Sequence, residues 1–321
     1  MISIRPMTDG DASSVAQVDA VTFADWAARS TGKAEVIQPR RTEDILANWA
    51  KDPQGCFVAA SEAGQVVGFI FSRTWGTTGW FGTFAVLPEH QGADIGQNLI
   101  KASLGYLRQR GCKTIGLETM PETIYNLGLY LKLGFRPVFL TLLLAKDLQP
   151  QQAPIRHGRI KAWSQEPEHT RNQVLAEFKA ITNSIELGLD YSKEVIVIDK
   201  FGFGDTLIWH EGAQALGFAA INLRGSRPGS EELGTVEALA MSPLHCSEAD
   251  ALAFLIGIEN YVLGQGKAQL VVPVNTIYLR MLTLLVERGY RVFKSRARMM
   301  LGELPDPRRV RDMVNLSSWA A

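Results

Sequence analysis

The sequence predicts two α/β domains in tandem. Three observations predict it: the length, the alternation of strand and helix periods, and a set of landmarks that recurs in the same order. At 321 residues the chain is long for one ordinary α/β domain and suits two of about 150 residues each. Hydrophobic residues make up 46% of it, enough to build packed cores.

The elements of the first half follow in order. ISIRP (2–6) reads as a short strand and ends at the turn signal TDGD. SSVAQVDAVTF (13–23) carries apolar residues at helical spacing. RTEDILANWA (41–50) is a second short helix with Thr42 as its cap. From Cys56 the period changes to that of strands, and CFVAASEAGQVVGFIFSRTWG reads as a hairpin turning at Glu62-Ala63-Gly64. TGWFGTFAVLP is the next strand, stopped by Pro88. Ile95, Leu99, Ala102, Leu104 and Leu107 give an apolar face to a helix from about Asp94 to Arg110, and Gly111 is its stop. KTIGLETM is a strand, and TIYNLGLYLKL is a short helix ending at Gly134. FRPVFLTLLLAKDL is the strand that closes the unit. Its apolar run FLTLLLA (139–145) is too short to span a bilayer and reads as a buried strand.

QPQQAP (149–154) is linker-like, with two prolines and no apolar period. After it the landmarks return. QVVGFIF resembles QALGFAAI, with Gly68 matching Gly217. AVLPEHQ resembles AMSPLHC, with Pro88 matching Pro243 and His90 matching His245. LKLGFRPV resembles LVERGYRVF, with Gly134 matching Gly289, and Tyr106 matches Tyr261. The first offset is 149 and the others are 155; a longer hairpin at INLRGSRPGSEELG accounts for the jump. The alternative is one large α/β domain with similar strand edges. Duplication places a first domain at 1–148, a linker at 149–156, a second domain at 157–304 and a C-terminal tail at 305–321.

Composition narrows the partners. Lys and Arg total 33 against 33 Asp and Glu, so the chain has no broad field to hold nucleic acid or an anionic membrane, and neither is expected as a partner. Cys56, Cys112 and Cys246 are far apart and in no metal-ligand spacing, which reads as reduced thiols of a cytoplasmic protein. MISIRPMTDGD lacks the apolar core of a signal peptide. No metal constellation, nucleophile elbow or nucleotide P-loop is present in the sequence, and no metal is expected.

The order of elements, with RPMT (5–8), VVGF (66–69), FAVLPEHQGADIG (84–96) and YLKLGF (130–135), resembles the GNAT superfamily of acetyl-CoA-dependent N-acetyltransferases. The resemblance covers residues 1–147, and the second half follows the same plan weakly. It implies a mixed, mostly antiparallel twisted sheet flanked by helices in each half. It implies acetyl-CoA as co-substrate: Phe84, Ala85 and Val86 pair with the pantetheine arm like an added strand, and the loop Gln91, Gly92, Ala93, Asp94, Ile95, Gly96 and Gln97 holds the pyrophosphate at a helix N-terminus. Gln91, Gly92 and Gly96 fit the family pattern, whereas Asp94 departs from it by placing an anion in an anion site. Only the backbone N–H at 94 is needed, and Asp tolerates a left-handed backbone. The competing reading is that its carboxylate fills the site.

The same resemblance makes Tyr130 the candidate acid for the departing thiolate and the Val86 N–H an oxyanion donor. Asn126, one turn before Tyr130, is placed to bond the pantetheine arm or orient the phenol. Glu118, at the end of KTIGLETM, is the candidate base and Glu122 its reserve. Phe23, Trp26, Trp75 and Trp80 are candidate walls of the acceptor pocket, although clustered tryptophans also serve as core. At offset 155 the loop residues become Cys246, Ser247, Ala249 and Ala251, and Tyr130 becomes Leu285, so the second half reads as degenerate and non-catalytic. The expected function is acetyl transfer to a primary amine of a small molecule or peptide, by a monomer or homodimer. The alternative is a non-catalytic acyl-CoA-binding sensor or regulatory protein.

Overall fold

The computed structural model describes residues 2–34, 36–151, 159–225, 227–302, 307–310 and 312–319. Residues 152–156 of the expected linker, and 305, 306, 311, 320 and 321 of the expected tail, lie outside these.

The first half runs β1 (Ile2–Pro6), α1 (Ala12–Thr31), α2 (Thr42–Lys51), β2 (Phe57–Ser61), β3 (Val66–Trp75), β4 (Thr78–Val86), α3 (Ile95–Gln109), β5 (Thr114–Thr119), α4 (Ile124–Lys132) and β6 (Arg136–Asp147). The second runs β7 (Arg159–Ala162), α5 (Glu168–Ile185), α6 (Ser192–Phe201), β8 (Gly204–Glu211), β9 (Gln214–Asn222), β10 (Leu233–Met241), α7 (Glu248–Gly264), β11 (Gln269–Asn275), α8 (Leu279–Glu287) and β12 (Arg291–Leu301), followed by β13 (Asn315–Ser317). The order repeats, as the landmarks predict. Most boundaries fall within two residues of the sequence reading. α1 is longer, because nothing breaks the helix before Gly32, whose left-handed backbone ends it. Thr42 is the first helical residue of α2, and Arg41 holds the cap position.

The repeat extends to register and side chains. Gly68 faces Val86 across β3 and β4, and Gly217 faces Met241 across β9 and β10. The Tyr106 hydroxyl donates to Asp52 Oδ1 at 2.8 Å, and the Tyr261 hydroxyl donates to Asp205 Oδ2 at 3.1 Å. Such a cross-element bond ties the helix after the loop to an aspartate that follows α2 in the first half and lies in β8 in the second.

The halves do not close separately. The described strands form one mixed, mostly antiparallel sheet in the order β1-β2-β3-β4-β5-β12-β6-β11-β10-β9-β8-β7, with β13 on β10. The sequence order has β6 closing the first unit; in the structure it lies between β12 and β11, and β12 of the second half pairs with β5 of the first. Each half thus lends its last strand to the other. FLTLLLA is correspondingly less buried than a core strand: Thr141 and Leu144 are buried, whereas Leu140 is 41% exposed. One apolar cluster fills each half, and a third joins Trp75 and Trp80 to Trp163, Phe178, Tyr191, Phe218 and Trp319 across the junction.

Candidate active site

β4 and β5 run parallel and pair only from Thr78–Thr114 to Trp80–Gly116. Beyond Trp80 they separate. The cause lies in β4, where Ile70 faces Phe84 but Ser72 faces Phe81, so Gly82 and Thr83 together oppose the single residue Phe71 and one extra residue bulges the strand out of the ladder. Phe84, Ala85 and Val86 bond to β3 on one side, and among the described residues no strand takes their other edge. That edge is a row of backbone donors and acceptors beside a fork, suited to an extended amide-bearing ligand.

The edge leads to the N-terminus of α3. Gly92 is at φ +85°, and a Cβ there meets nothing within 4 Å, so the loop surface is open. Asp94 caps α3 in a left-handed conformation, φ 57°, and no side chain caps the helix amides. Its exposed carboxylate accepts from Gln97 Nε2 at 3.1 Å. Gln91 Nε2 donates to the Val86 carbonyl at 2.9 Å, tying the loop to the strand. Uncapped N–H groups and the helix dipole favour an anion here.

The second half shows what closes such a site. Its β10–β11 fork begins beyond Thr235–Val271. There β13 pairs with Ala238, Leu239 and Ala240, the counterparts of Thr83, Phe84 and Ala85. At the helix, Ser247 Oγ accepts from the Asp250 N–H while Asp250 accepts from the Ser247 N–H. This capping box satisfies amides that α3 leaves open. Part of the expected tail is therefore a strand in the sheet. Its Trp319 packs so close to Gly116 that a Cβ there would sit 2.2 Å from the indole.

The first-half fork opens into a cleft of about 1400 Å³ between the halves. Of the sequence candidates, Phe23, Trp26, Trp75, Trp80, Phe84, Ala85, Val86, Gln91, Gly92, Asp94, Gly96, Gln97, Glu118, Glu122, Asn126 and Tyr130 all line it. Ala93 and Ile95 are outside the lining; Ala93 is exposed in the loop and Ile95 is buried in the core. Trp26 Nε1 donates to Thr123 Oγ1 at 2.9 Å, bridging α1 to the start of α4. Trp75 and Trp80 are also core: their rings lie 5.2 Å apart, and Trp75 Nε1 donates to Glu194 Oε1 at 2.9 Å. Tyr130 is buried against Phe81 and Phe135, and burial raises its phenol above the usual value, keeping it in the acid form.

Glu118, the candidate base, sits in a network of ion pairs. Its side chain is fully buried, and Arg298 Nη2 donates to Oε1 at 2.7 Å, with Arg296 at 3.8 Å from Oε2. Thr141 and Ser318 also bond it. Burial raises its pKa, but the two arginines and these bonds outweigh that and leave it below the usual carboxylate value. The carboxylate so held ties β5 to β12. The sequence could not show this, because Arg298 lies 180 residues away and reaches Glu118 only through the exchanged strand.

The sequence allows the second half to be a wall of the substrate pocket but singles out none of its lining residues. Glu194, Phe203, Arg227, Glu237, Lys294, Arg296 and Ser318 all line it. Arg227, in the long β9–β10 loop, reaches across to Asp19 and to the Gln38 carbonyl. The longer loop in the repeat was the one available signal.

Comparison with known proteins agrees with this geometry. Residues 21–135 match the model of the Acetyltransferase (GNAT) family, so the first half carries a GNAT acetyltransferase domain. A mycothiol acetyltransferase of Stackebrandtia nassauensis is 32% identical over 140 residues, which is 42% of this chain and 44% of that protein. The match thus spans less than half the length of that relative. A putative acetyltransferase from Pyrococcus horikoshii superposes over 100% of this chain and 94% of its own, with TM-score 0.69 at 16% identity. A tandem GNAT protein from the clavulanic acid biosynthesis pathway superposes over 95% of this chain and 100% of its own, with TM-score 0.59 at 14% identity. At such identities the structures share the fold.

Proposed function

We propose that the chain, with its GNAT domain, is an acetyl-CoA-dependent N-acetyltransferase acting on a primary amine of a small molecule or peptide. The observation that carries this is the free edge of β4 beyond Trp80, which ends at the uncapped start of α3 and opens beside Tyr130. In this reading Phe84, Ala85 and Val86 hold the pantetheine amides, and the Gln91–Gln97 loop holds the pyrophosphate. Asn126 orients the arm or the phenol. The Val86 N–H donates to the acetyl oxygen as negative charge grows on it, and the Tyr130 hydroxyl protonates the departing sulfur. One acetyl-CoA binds per chain, because β13 and the Ser247 capping box occupy the equivalent features of the second half.

The experiment is thiol release from acetyl-CoA by the purified protein across a panel of primary amines. Mycothiol-type amines belong in that panel because of the relative's name. Amine-dependent release that disappears in Tyr130→Phe supports the reading. Tight acetyl-CoA binding with no release for any amine favours the sensor alternative.

A further inference from the structure

Four glutamates line the cleft: Glu118, Glu122, Glu194 and Glu237. Three are accounted for. Glu118 is held by Arg298 and Arg296. Glu194 is buried with Lys51 Nζ 2.6 Å from Oε2 and the Trp75 indole on Oε1. Glu122 is exposed and solvated.

Glu237 is different. It sits in β10 at a bulge, where Val236 faces Ile221 but Ala238 faces Ala220, so its side chain leaves the regular ladder. It is half-buried and borders the cleft. Among the described residues its one hydrogen bond comes from Asn222 Nδ2 at a long 3.3 Å, and no cation lies within ion-pair distance. Lys51 on α2, Glu194 on α6 and Arg296 on β12 face it from farther off, and each cation is already engaged by another glutamate. Burial, reinforced by Glu194, raises its pKa above the usual carboxylate value. A carboxylate taken out of water without a cation is costly unless a ligand supplies one.

We infer that Glu237, contributed by the half with no acetyl-CoA site, is the acceptor-binding carboxylate: it receives the ammonium of the acceptor and takes its proton. The inference rests on the acetyltransferase reading and names its acceptor class, an ammonium carried on an apolar body that packs against Phe23 and Trp26. In the balanced step, Glu237 accepts one ammonium proton and passes it to solvent. The neutral amine forms the N–C bond as the C–S bond breaks. Tyr130 protonates the thiolate, and the second proton lost by the nitrogen restores the phenol. The acceptor site is incomplete without the second half.

The test is calorimetric titration of the CoA-bound protein with 2-phenylethylamine, and with 2-phenylethanol as the uncharged control, for wild type and Glu237→Gln. The expected result is ammonium affinity about tenfold or more weaker in the variant, the scale of a desolvated charge pair, with equal affinity for the alcohol. Wild-type ammonium affinity should fall on acidification as Glu237 protonates, beginning above the ordinary carboxylate range, and the variant should lack that fall. Equal ammonium affinity in the two proteins, or none in wild type, overturns the inference. Acetyl-CoA binding measured beside it separates the causes: if it persists, only the role of Glu237 fails, and if it is absent in wild type, the acetyltransferase reading fails with it. A circular-dichroism melt of the isosteric variant checks that it folds.

Discussion

Gln91 Nε2 donates to the Val86 carbonyl at 2.9 Å, so the loop before α3 is clipped to the free end of β4. One side chain joins the free edge of β4 to the loop before α3. Gln91→Ala should weaken acetyl-CoA binding about fivefold, the worth of one hydrogen bond of about 1 kcal/mol, with little change in melting temperature. Unchanged affinity would mean that the loop is positioned without the clip.

Asp94 is exposed, and its carboxylate leans on Gln97. Its repulsion of a bound phosphate is therefore that of a solvated charge, about 1 kcal/mol or less. Asp94→Asn should tighten acetyl-CoA binding by at most about fivefold at low salt, and the gain should shrink as salt is added. A gain far beyond that would show that the carboxylate occupies the anion site itself.

Glu118 anchors Arg298 and Arg296 across the exchanged strands. Glu118→Gln should cost about 3 kcal/mol or more in stability, because it leaves buried guanidinium groups without their counter-ion, while acetyl-CoA affinity survives. The sign of the pH dependence follows from the depressed pKa. The contribution is present above the unfolded carboxylate value and is lost as pH falls through the lower folded one. Lost turnover at an unchanged melting temperature would restore Glu118 as the base.

Tyr130 remains protonated in its apolar pocket to alkaline pH. Tyr130→Phe should lower turnover about a hundredfold, the usual scale for a lost general acid, and leave acetyl-CoA affinity intact. Equal turnover would remove Tyr130 from the chemistry.

Trp319 is buried between Gly116 and the Arg298 guanidinium, which lies 4.2 Å from its ring. Trp319→Ala should cost about 3–5 kcal/mol, as a large core deletion does. A melt unchanged by that substitution would show that the C-terminal strand is not held in the sheet.

The periods and landmarks of the sequence were enough for the order of elements and the repeat, because each depends on neighbours a few residues apart. That Gly92, Gln91 and Tyr130 would share one cleft followed from the same local order. The exchanged β6 and β12 were not: a strand reads the same whichever sheet edge it joins, so Arg298 beside Glu118 left no local trace. Glu237 was equally silent, since its character comes from Asn222, Glu194 and Arg296 meeting around it in space. The C-terminal strand escaped because three residues, Asn315 to Ser317, are too few to show a period.

In the proposed reading the first half holds acetyl-CoA and the second does not. Calorimetric titration of the purified chain with acetyl-CoA, beside a Gly92→Glu control, tests it most directly. One site per chain is expected, abolished in the control, because a long acidic side chain at Gly92 fills the open loop surface. Two sites per chain, or one that survives Gly92→Glu, would contradict it.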